Sequence, residues 1–229
     1  MDGILLIDKP AGWTSFDVVA KVRGTIKAAT AGRPGAPKRP KVGHTGTLDP
    51  LATGLLILVL GSYCKRAGEF SKLDKVYEAE VTIGATSSTD DGEGDLTSGS
   101  DRQPTEAEIT EVLNSFLGEQ MQVPPAFSAI KIDGQRAYKA ARAGQAPKME
   151  PRPVTIYAIT EVEYAYPKLN FAVKVSSGTY IRSLARDLGE KLDTGAYLSG
   201  LRRTQVGEYD ISQATTVDDP QLLTERKLN

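Results

Sequence analysis

Residues 43–54 constrain the fold of this chain more than any other segment. They contain three glycines, three threonines, the only histidine and one aspartate, Asp49. Six apolar residues follow at 55–60, bounded by glycines at 54 and 61, which is typical of a buried strand. A loop rich in glycine and threonine that leads into a buried strand indicates a rigidly held site. No other carboxylate occurs in the thirty residues before Asp49.

The same loop has a purely structural interpretation. Aspartate followed by proline often begins a helix, with Asp49 as N-cap and Pro50 at the first helical position. The glycines would then serve only to supply turn geometry. Residue types and spacing alone leave both interpretations open.

Composition narrows the class of protein. The chain has 229 residues, 40% of them hydrophobic and 25% charged, as in an ordinary globular protein. A single cysteine, Cys64, excludes an intramolecular disulfide and a zinc site built from cysteines. The first apolar run, 4–7, is too short for a signal peptide, and none approaches membrane-spanning length. We therefore expect a cytoplasmic protein.

The charge is unevenly distributed although the net charge is only −1. Between residues 18 and 48 there are no acids and seven basic residues: Lys21, Arg23, Lys27, Arg33, Lys38, Arg39 and Lys41. Compensating acids crowd into 90–119. Segregated basic segments can present a basic face to a phosphate backbone, although they can equally be solvated surface charges.

Apolar periodicity predicts mixed secondary structure. Strands are predicted at 4–7, 55–60, 75–84, 126–132, 156–166, 169–176 and 201–209. Helices are predicted to follow capping boxes at Thr14 and Thr105, the second of them running to about Leu117, and to cover 135–143 and 180–192. Residues 28–41 and 86–104 are predicted to be surface loops. Strands and helices do not alternate regularly, so the sequence predicts an α+β fold.

Five motifs resemble, in the same order, those of the TruB family of tRNA pseudouridine synthases. They are IDKPAGWTS at 7–15, GHTGTLDPLATG at 43–54, KVYEA at 75–79, PPAFSAIKIDGQRAY at 124–138 and SGTYIRSLARDLG at 177–189. One such match could be chance, whereas five in order are specific. The resemblance implies the pseudouridine synthase fold, a mixed, largely antiparallel central sheet flanked by helices and loops.

The resemblance also implies an activity, the conversion of the uridine at position 55 in the T-loop of tRNA to pseudouridine. In this family Asp49 would be the catalytic aspartate, acting as nucleophile or removing a sugar proton. Burial raises the pKa of a carboxyl unless a cation offsets it, and Arg182 is the expected cation. Tyr77 would stack on the flipped-out uracil. The family uses no cofactor and no metal.

Other residues are expected to bind RNA. His44 would contact the T-loop, Leu201 matches a pocket residue, and Tyr180 would either line the pocket or only pack. The basic residues proposed to contact the RNA are Lys131, Arg136, Arg33, Lys38, Arg39 and Lys41. The expected partner is the T-stem-loop of tRNA, with no membrane, no obligatory protein partner and a monomeric enzyme.

Two departures from the family pattern concern domain organisation. We expect a catalytic domain over 1–210 and a short tail over 211–229, without the C-terminal RNA-binding domain that bacterial members usually carry. The loop 28–41 is longer than usual. A guide-RNA-dependent relative and a non-enzymatic RNA-binding module are the alternatives. The missing domain argues against the first, and the presence of Asp49, Tyr77 and Arg182 argues against the second.

Overall fold

The computed structural model describes residues 2–35, 38–128, 130–132, 135–138 and 148–219. The chain forms two compact units, one of Met1–Tyr77 with Leu201–Asn229 and the other of Glu78–Gly200. Two strands, β4 (Lys75–Ile83) and β12 (Ala196–Val206), each contribute residues to both units.

The first unit is built around two long antiparallel strands, β1 (Gly3–Lys9) and β3 (Thr53–Leu60). Helix α1 (Ser15–Thr30) and the short strand β2 (Val42–His44) separate them in sequence. A 3-10 turn (Gly61–Arg66) and α2 (Ala67–Ser71) follow β3. After β12 come β13 (Tyr209–Asp210), a second 3-10 turn (Ile211–Gln213) and β14 (Thr215–Thr216), which pairs parallel with β1.

The sequence explains these elements directly. Thr14 and Asp17 form the predicted capping box that begins α1, and the apolar stripe of this helix is buried at Val18, Val19, Val22 and Ile26. Strand β3 is buried at every position from Gly54 to Leu60, which accounts for its unbroken apolar run.

The second unit has strands in the order β12, β4, β11, β10, β7, and β10 pairs antiparallel with both β11 and β7. Its remaining strands are β5 (Ala85–Ser87), β6 (Leu96–Ser98), β7 (Gly118–Gln122), β8 (Lys131–Ile132), β9 (Gln135–Arg136), β10 (Arg152–Ala165) and β11 (Lys168–Val175). Its two described long helices are α3 (Glu106–Asn114) and α4 (Ile181–Lys191). The hairpin of β10 and β11 is the predicted one.

The α+β prediction is confirmed, since parallel and antiparallel pairs mix and helices cover the strands without a regular alternation. The alternation predicted for β4 is also confirmed, with Lys75, Tyr77, Ala79, Val81 and Ile83 buried on one face. No helix in the described part of the chain is long and apolar enough to cross a membrane.

Several predicted boundaries are wrong. Residues 135–136 form strand β9 rather than the start of a helix, because their backbone pairs with residues 131–132; the predicted helix beyond residue 138 lies outside the described residues. Residues 126–128 are bends, so the predicted strand there reduces to 131–132. Helix α3 ends at Asn114, three residues before the predicted end. Strand β12 begins at Ala196 and ends at Val206, and two short strands follow it.

Gly54 gives a stability test of the pairing between β3 and β12. Its φ is +98°, and a Cβ there would lie 2.3 Å from the carbonyl oxygen of Arg203. We expect Gly54→Ala to lower the free energy of unfolding by roughly 2–5 kcal/mol, through backbone strain plus overlap. Gly118, with φ +94° and no atom within 4 Å of an added Cβ, is the matched control for strain alone. Equal losses in urea unfolding for both variants would contradict the close approach.

Candidate active site

The loop carrying Asp49 spans residues 45–52 and connects β2 to β3, which pair antiparallel from Val42↔Leu60 to His44↔Leu58. The same edge of β3 pairs parallel with β12 at Thr53 and Gly54. Residues 55–57 therefore lie between two strand partners. Of their carbonyl groups, those of Leu55 and Ile57 point to this edge and need other donors, because an unpaired buried carbonyl is costly.

Side chains and loop backbone supply those donors. Arg203 is only 2% exposed, and its guanidinium donates from Nε to the Leu55 carbonyl at 2.8 Å and from Nη2 to the Gly46 carbonyl at 3.1 Å. Thr45 donates its backbone N–H to the Ile57 carbonyl at 3.1 Å and its hydroxyl to the same oxygen at 3.3 Å. The first half of the loop is thus fixed to β3.

The second half of the loop is fixed by the motif at 7–15. The Ser15 hydroxyl donates to the Leu48 carbonyl at 3.0 Å and accepts from the Leu48 N–H at 2.8 Å. The Gly12 N–H donates to the Pro50 carbonyl at 2.9 Å. Both neighbours of Asp49 in sequence are therefore held by hydrogen bonds to one segment.

Asp49 itself is half-buried in an irregular loop. Its carbonyl accepts the Ala52 N–H at 3.1 Å, which closes a turn. Residues 45–52 contain no helix, so the interpretation of Asp49 as a helix N-cap is wrong. The carboxylate sits on a backbone whose flanking residues, Leu48 and Ala52, are 3% and 1% exposed.

His44 lies at the end of β2, half-buried beside the loop. Burial lowers its pKa, and the nearby Arg203 guanidinium lowers it further, so the imidazole is neutral at neutral pH. Its Nδ1 is buried and has no hydrogen-bond partner among the described residues. A neutral ring with a polar atom to spare suits hydrogen bonding to a ligand.

Two lysines flank this part of the first unit. Lys9 is fully buried and donates to the carbonyls of Pro10 at 2.9 Å and Trp13 at 2.6 Å, which fixes the chain reversal before α1. Lys75 donates to the carbonyls of Ser71 and Leu73. Burial lowers the pKa of Lys75 to about 8, helped by Arg203 and opposed by Asp74.

Tyr77 lies two residues beyond Lys75 on the buried face of β4 and is 8% exposed. Leu201, on β12, is half-buried and accepts the Thr53 hydroxyl at its carbonyl, at 3.5 Å. The basic loop residues Arg33, Lys38, Arg39 and Lys41 are all exposed. The first unit therefore holds His44, Asp49, Tyr77, Leu201 and these four cations.

The second unit holds Arg182, in the first turn of α4. Its side chain is 9% exposed and lies 3.3 Å from Oδ2 of Asp91, whose side chain is 3% exposed. The guanidinium also donates to the carbonyls of Thr89 at 3.2 Å and Phe127 at 2.9 Å. These contacts hold the charged group in one orientation within a water-poor environment.

The acidic residues beside Arg182 correct the prediction that 86–104 is simply a surface loop. Asp91 is buried, and hydrogen bonds compensate for the loss of water around its carboxylate. Its Oδ1 accepts from the Thr89 hydroxyl at 2.5 Å and from the Glu93 N–H at 3.0 Å. Asp90 pairs with Arg186 at 3.0 Å. Burial raises the pKa of Asp90, against the lowering effects of Arg186 and Arg182. The role of Asp91 was not predicted from the sequence, in which its only signal is the crowding of acids from residue 90 onward.

Tyr180 is the N-cap residue of α4 and is half-buried. The Gln122 side chain accepts the Tyr180 N–H at 2.9 Å and donates to the Tyr180 carbonyl at 3.1 Å. This amide fixes the backbone just before Arg182, a role that the sequence did not reveal. Lys131 and Arg136 face each other across the pair of β8 and β9 by backbone register.

The described side chains form no cluster that could bind a metal ion. Within residues 2–35, 38–128, 130–132, 135–138 and 148–219, no three His, Cys, Asp or Glu residues are grouped so as to hold an ion. The chemistry offered is that of carboxylate, guanidinium, phenol and imidazole.

Comparison with known proteins identifies the family of the chain. Residues 35–181 match the family described as TruB family pseudouridylate synthase (N terminal domain), and 182–226 match the tRNA pseudouridylate synthase B C-terminal domain. The chain is 43% identical over 230 residues to the tRNA pseudouridine synthase B of Thermobifida fusca, covering 95% of this chain and 74% of the relative. It is 39% identical to that of Opitutus terrae over 219 residues, covering 95% and 86%.

Two solved structures with a similar fold are complexes. The chain superimposes on a protein in a Cbf5–Nop10–Gar1 complex with a TM-score of 0.72 and 28% identity, covering 99% of this chain and 57% of that one. An H/ACA RNP bound to a substrate RNA containing 2'-deoxyuridine gives a TM-score of 0.67 and 26% identity. This chain spans 51% of the latter.

Ser15→Ala tests the bridge from α1 to the loop. The variant leaves two buried backbone groups of Leu48 without their partner, so we expect the free energy of unfolding to fall by roughly 1–3 kcal/mol. We also expect faster hydrogen exchange at the Leu48 amide. Ser71→Ala, which removes an exposed hydroxyl bonded to the Gly68 carbonyl, is the control. Similar small losses in both variants would show that the bridge does not fix the loop.

Proposed function

The chain belongs to the TruB family of pseudouridylate synthases, and we propose that it converts the uridine at position 55 in the T-loop of tRNA to pseudouridine. The observation that carries this proposal is the loop 45–52, which presents Asp49 on a backbone fixed from both sides. Rigid presentation is what a catalytic carboxylate needs, because a small misplacement costs rate.

Asp49 is proposed to act as the ionised carboxylate. It either attacks the anomeric carbon of the ribose or removes a sugar proton to give a glycal. In both routes the N-glycosidic bond breaks, the uracil rotates in place and its carbon 5 then bonds to the sugar. Carbon 5 gives up its proton to solvent and nitrogen 1 gains one, so the product is an isomer of the substrate and the reaction needs no external oxidant or group donor.

Arg182 is proposed as the cation that keeps the catalytic carboxylate ionised as water leaves the site. Its burial and its contacts with Asp91, Thr89 and Phe127 fix the guanidinium before substrate binds. A fixed charge stabilises an anion without the cost of reorganising solvent. Asp91 is thereby proposed as a positioning residue for Arg182.

The remaining site residues are proposed to bind the extruded nucleotide and its surroundings. Tyr77 would stack on the uracil, replacing the stacking lost when the base leaves its loop. His44 would donate or accept a hydrogen bond with the T-loop as a neutral imidazole. Tyr180 and Leu201 are proposed to line the pocket, and Lys131 and Arg136 to contact the RNA.

We propose further that the enzyme acts on its own in the cytoplasm, as a monomer, with the T-stem-loop as the recognised part of tRNA. The division into a catalytic domain over 1–210 and a tail over 211–229 stays a prediction. A guide-RNA-dependent activity is the alternative, and the similarity to a Cbf5 complex supports it.

Asp49→Asn tests the proposed chemistry. The substitution keeps the shape of the side chain and removes its charge, so we expect a folded protein that binds a T-stem-loop transcript and releases no tritium from carbon-5-labelled uridine. Asp101→Asn, at an exposed position, is the matched control and should react like the wild type. Turnover by Asp49→Asn would remove the catalytic assignment. A wild type that reacts only when guide RNA or partner protein is added would favour the alternative.

Tyr77 can be tested by separating its ring from its hydroxyl. Tyr77→Phe should keep most of the binding, because stacking persists, and should lose turnover if the hydroxyl helps to remove the proton from carbon 5. Tyr77→Ala should weaken binding by about 1–3 kcal/mol and abolish turnover. Since Tyr77 is buried, circular dichroism must show that the alanine variant is folded. A folded alanine variant that binds and reacts like the wild type would make Tyr77 a packing residue.

A further inference from the structure

A basic groove lies in the first unit, between the exposed side of α1 and the segment leading into β2. It encloses about 880 Å³ and has five cationic side chains and no acidic one among its described lining residues. The cations are Arg23, Lys27, Lys38, Arg39 and Lys41. Arg23 is half-buried and donates to the Val42 carbonyl at 3.4 Å, which places its guanidinium at the groove wall.

The residues on the groove side of α1 lower the stability of the helix. Gly24 stands in the middle of the helix, where glycine is less favourable than alanine, and a Cβ there would have no atom within 4 Å. Arg23 and Lys27 are like charges spaced four residues apart on the helix, which is also unfavourable. Residue types that lower the stability of their own helix are expected at functional surfaces.

The shape and charge of the groove fit a polyanionic backbone better than a base or a small anion. It is far larger than a single phosphate, and its described lining contains no aromatic ring on which a base could stack. Several cations along one groove are the feature that recognises successive phosphates.

We propose that this groove binds the phosphate backbone of the substrate RNA, away from the reacting uridine. The inference rests on the proposed function, because it takes tRNA as the RNA. Lys41 and Asp49 are eight residues apart, so a uridine at Asp49 lies within roughly 29 Å of the groove. Residues 38–41 and α1 thereby form one binding surface, in which Arg23, Gly24 and Lys27 join the predicted Lys38, Arg39 and Lys41.

The charge test uses two triple variants that lose the same net charge. Lys27→Gln with Arg39→Gln and Lys41→Gln removes groove cations, whereas Lys21→Gln with Lys65→Gln and Lys72→Gln removes exposed cations that do not line the groove. Binding of a full tRNA transcript is measured between 50 and 200 mM salt. Each lost phosphate contact lowers the slope of log affinity against log salt by roughly 0.7 to 0.9.

For the groove variant we therefore expect a slope smaller by about 2 to 3. The affinity advantage of the wild type should shrink by roughly 20-fold to 40-fold over that salt range. The control variant should keep a slope near that of the wild type. An unchanged slope in the groove variant, or an equal drop in the control, would overturn the proposal.

Gly24 separates shape from charge. Gly24→Met should fill the groove and weaken tRNA binding at least several-fold while the melting temperature stays level or rises, since the helix gains a better helix former. Gly24→Ala should gain stability and bind like the wild type, because its Cβ meets nothing within 4 Å. Wild-type binding by a folded Gly24→Met would overturn the proposal.

Two further measurements test which molecule binds in the groove. Tritium release at limiting tRNA should fall in the groove variant in step with its weaker binding, and should be unchanged in the control variant, whose substituted lysines do not line the groove. If the wild type itself releases no tritium, the proposed function fails while the salt slopes still decide whether the groove binds RNA. Micromolar binding of inorganic tripolyphosphate by the wild type and not by the groove variant would reassign the groove to a small polyanion and overturn the proposal.

Discussion

The guanidinium of Arg203 occupies the point where β3 exchanges one strand partner for another. At Thr53 and Gly54 the strand pairs with β12, and at Leu58 to Leu60 it pairs with β2. Between these pairings Arg203 bonds the Leu55 carbonyl and also the Gly46 carbonyl in the loop. One buried side chain therefore completes the sheet edge and sets the course of the loop that carries Asp49.

A second buried cation, Arg182 on α4, lies in the other unit. Arg182 faces Asp91, and each side chain is almost fully buried. Removing one partner of such a pair leaves an uncompensated buried charge, which typically costs 3–5 kcal/mol. Arg182, which is proposed to keep the catalytic carboxylate ionised, is thus also needed for folding. Its kinetic effects can be interpreted only beside a measurement of stability.

The sequence predicted what depends on local patterns. The capping boxes at Thr14 and Thr105, the alternation of β4 and the buried run of β3 follow from residue types a few positions apart, and all are present. Arg203, Asp91 and Gln122 were missed because their roles depend on partners 148, 91 and 58 residues away. Strand β9 was predicted as helix from its own composition. Its conformation depends instead on its pairing with β8, which composition does not show.

The resemblance to a known family supplied candidate residues that patterns alone could not. From spacing, Asp49 was as compatible with a helix start as with a site, and the structure shows a turn whose backbone is fixed by Ser15 and Gly12. The motif at 7–15 is thereby explained in physical terms: it holds the loop at 45–52 in place.

The parallel pairing of β14 with β1 has a consequence for how the protein is made. The first unit needs residues from both ends of the chain, whereas the second is continuous from Glu78 to Gly200. On the ribosome, where domains fold as they emerge, the continuous unit can be complete first. The loop with Asp49 must wait until Arg203, 157 residues after Gly46, has been synthesised. The nascent chain therefore acquires the geometry of the Asp49 loop only after Arg203 has been translated, long after the loop itself.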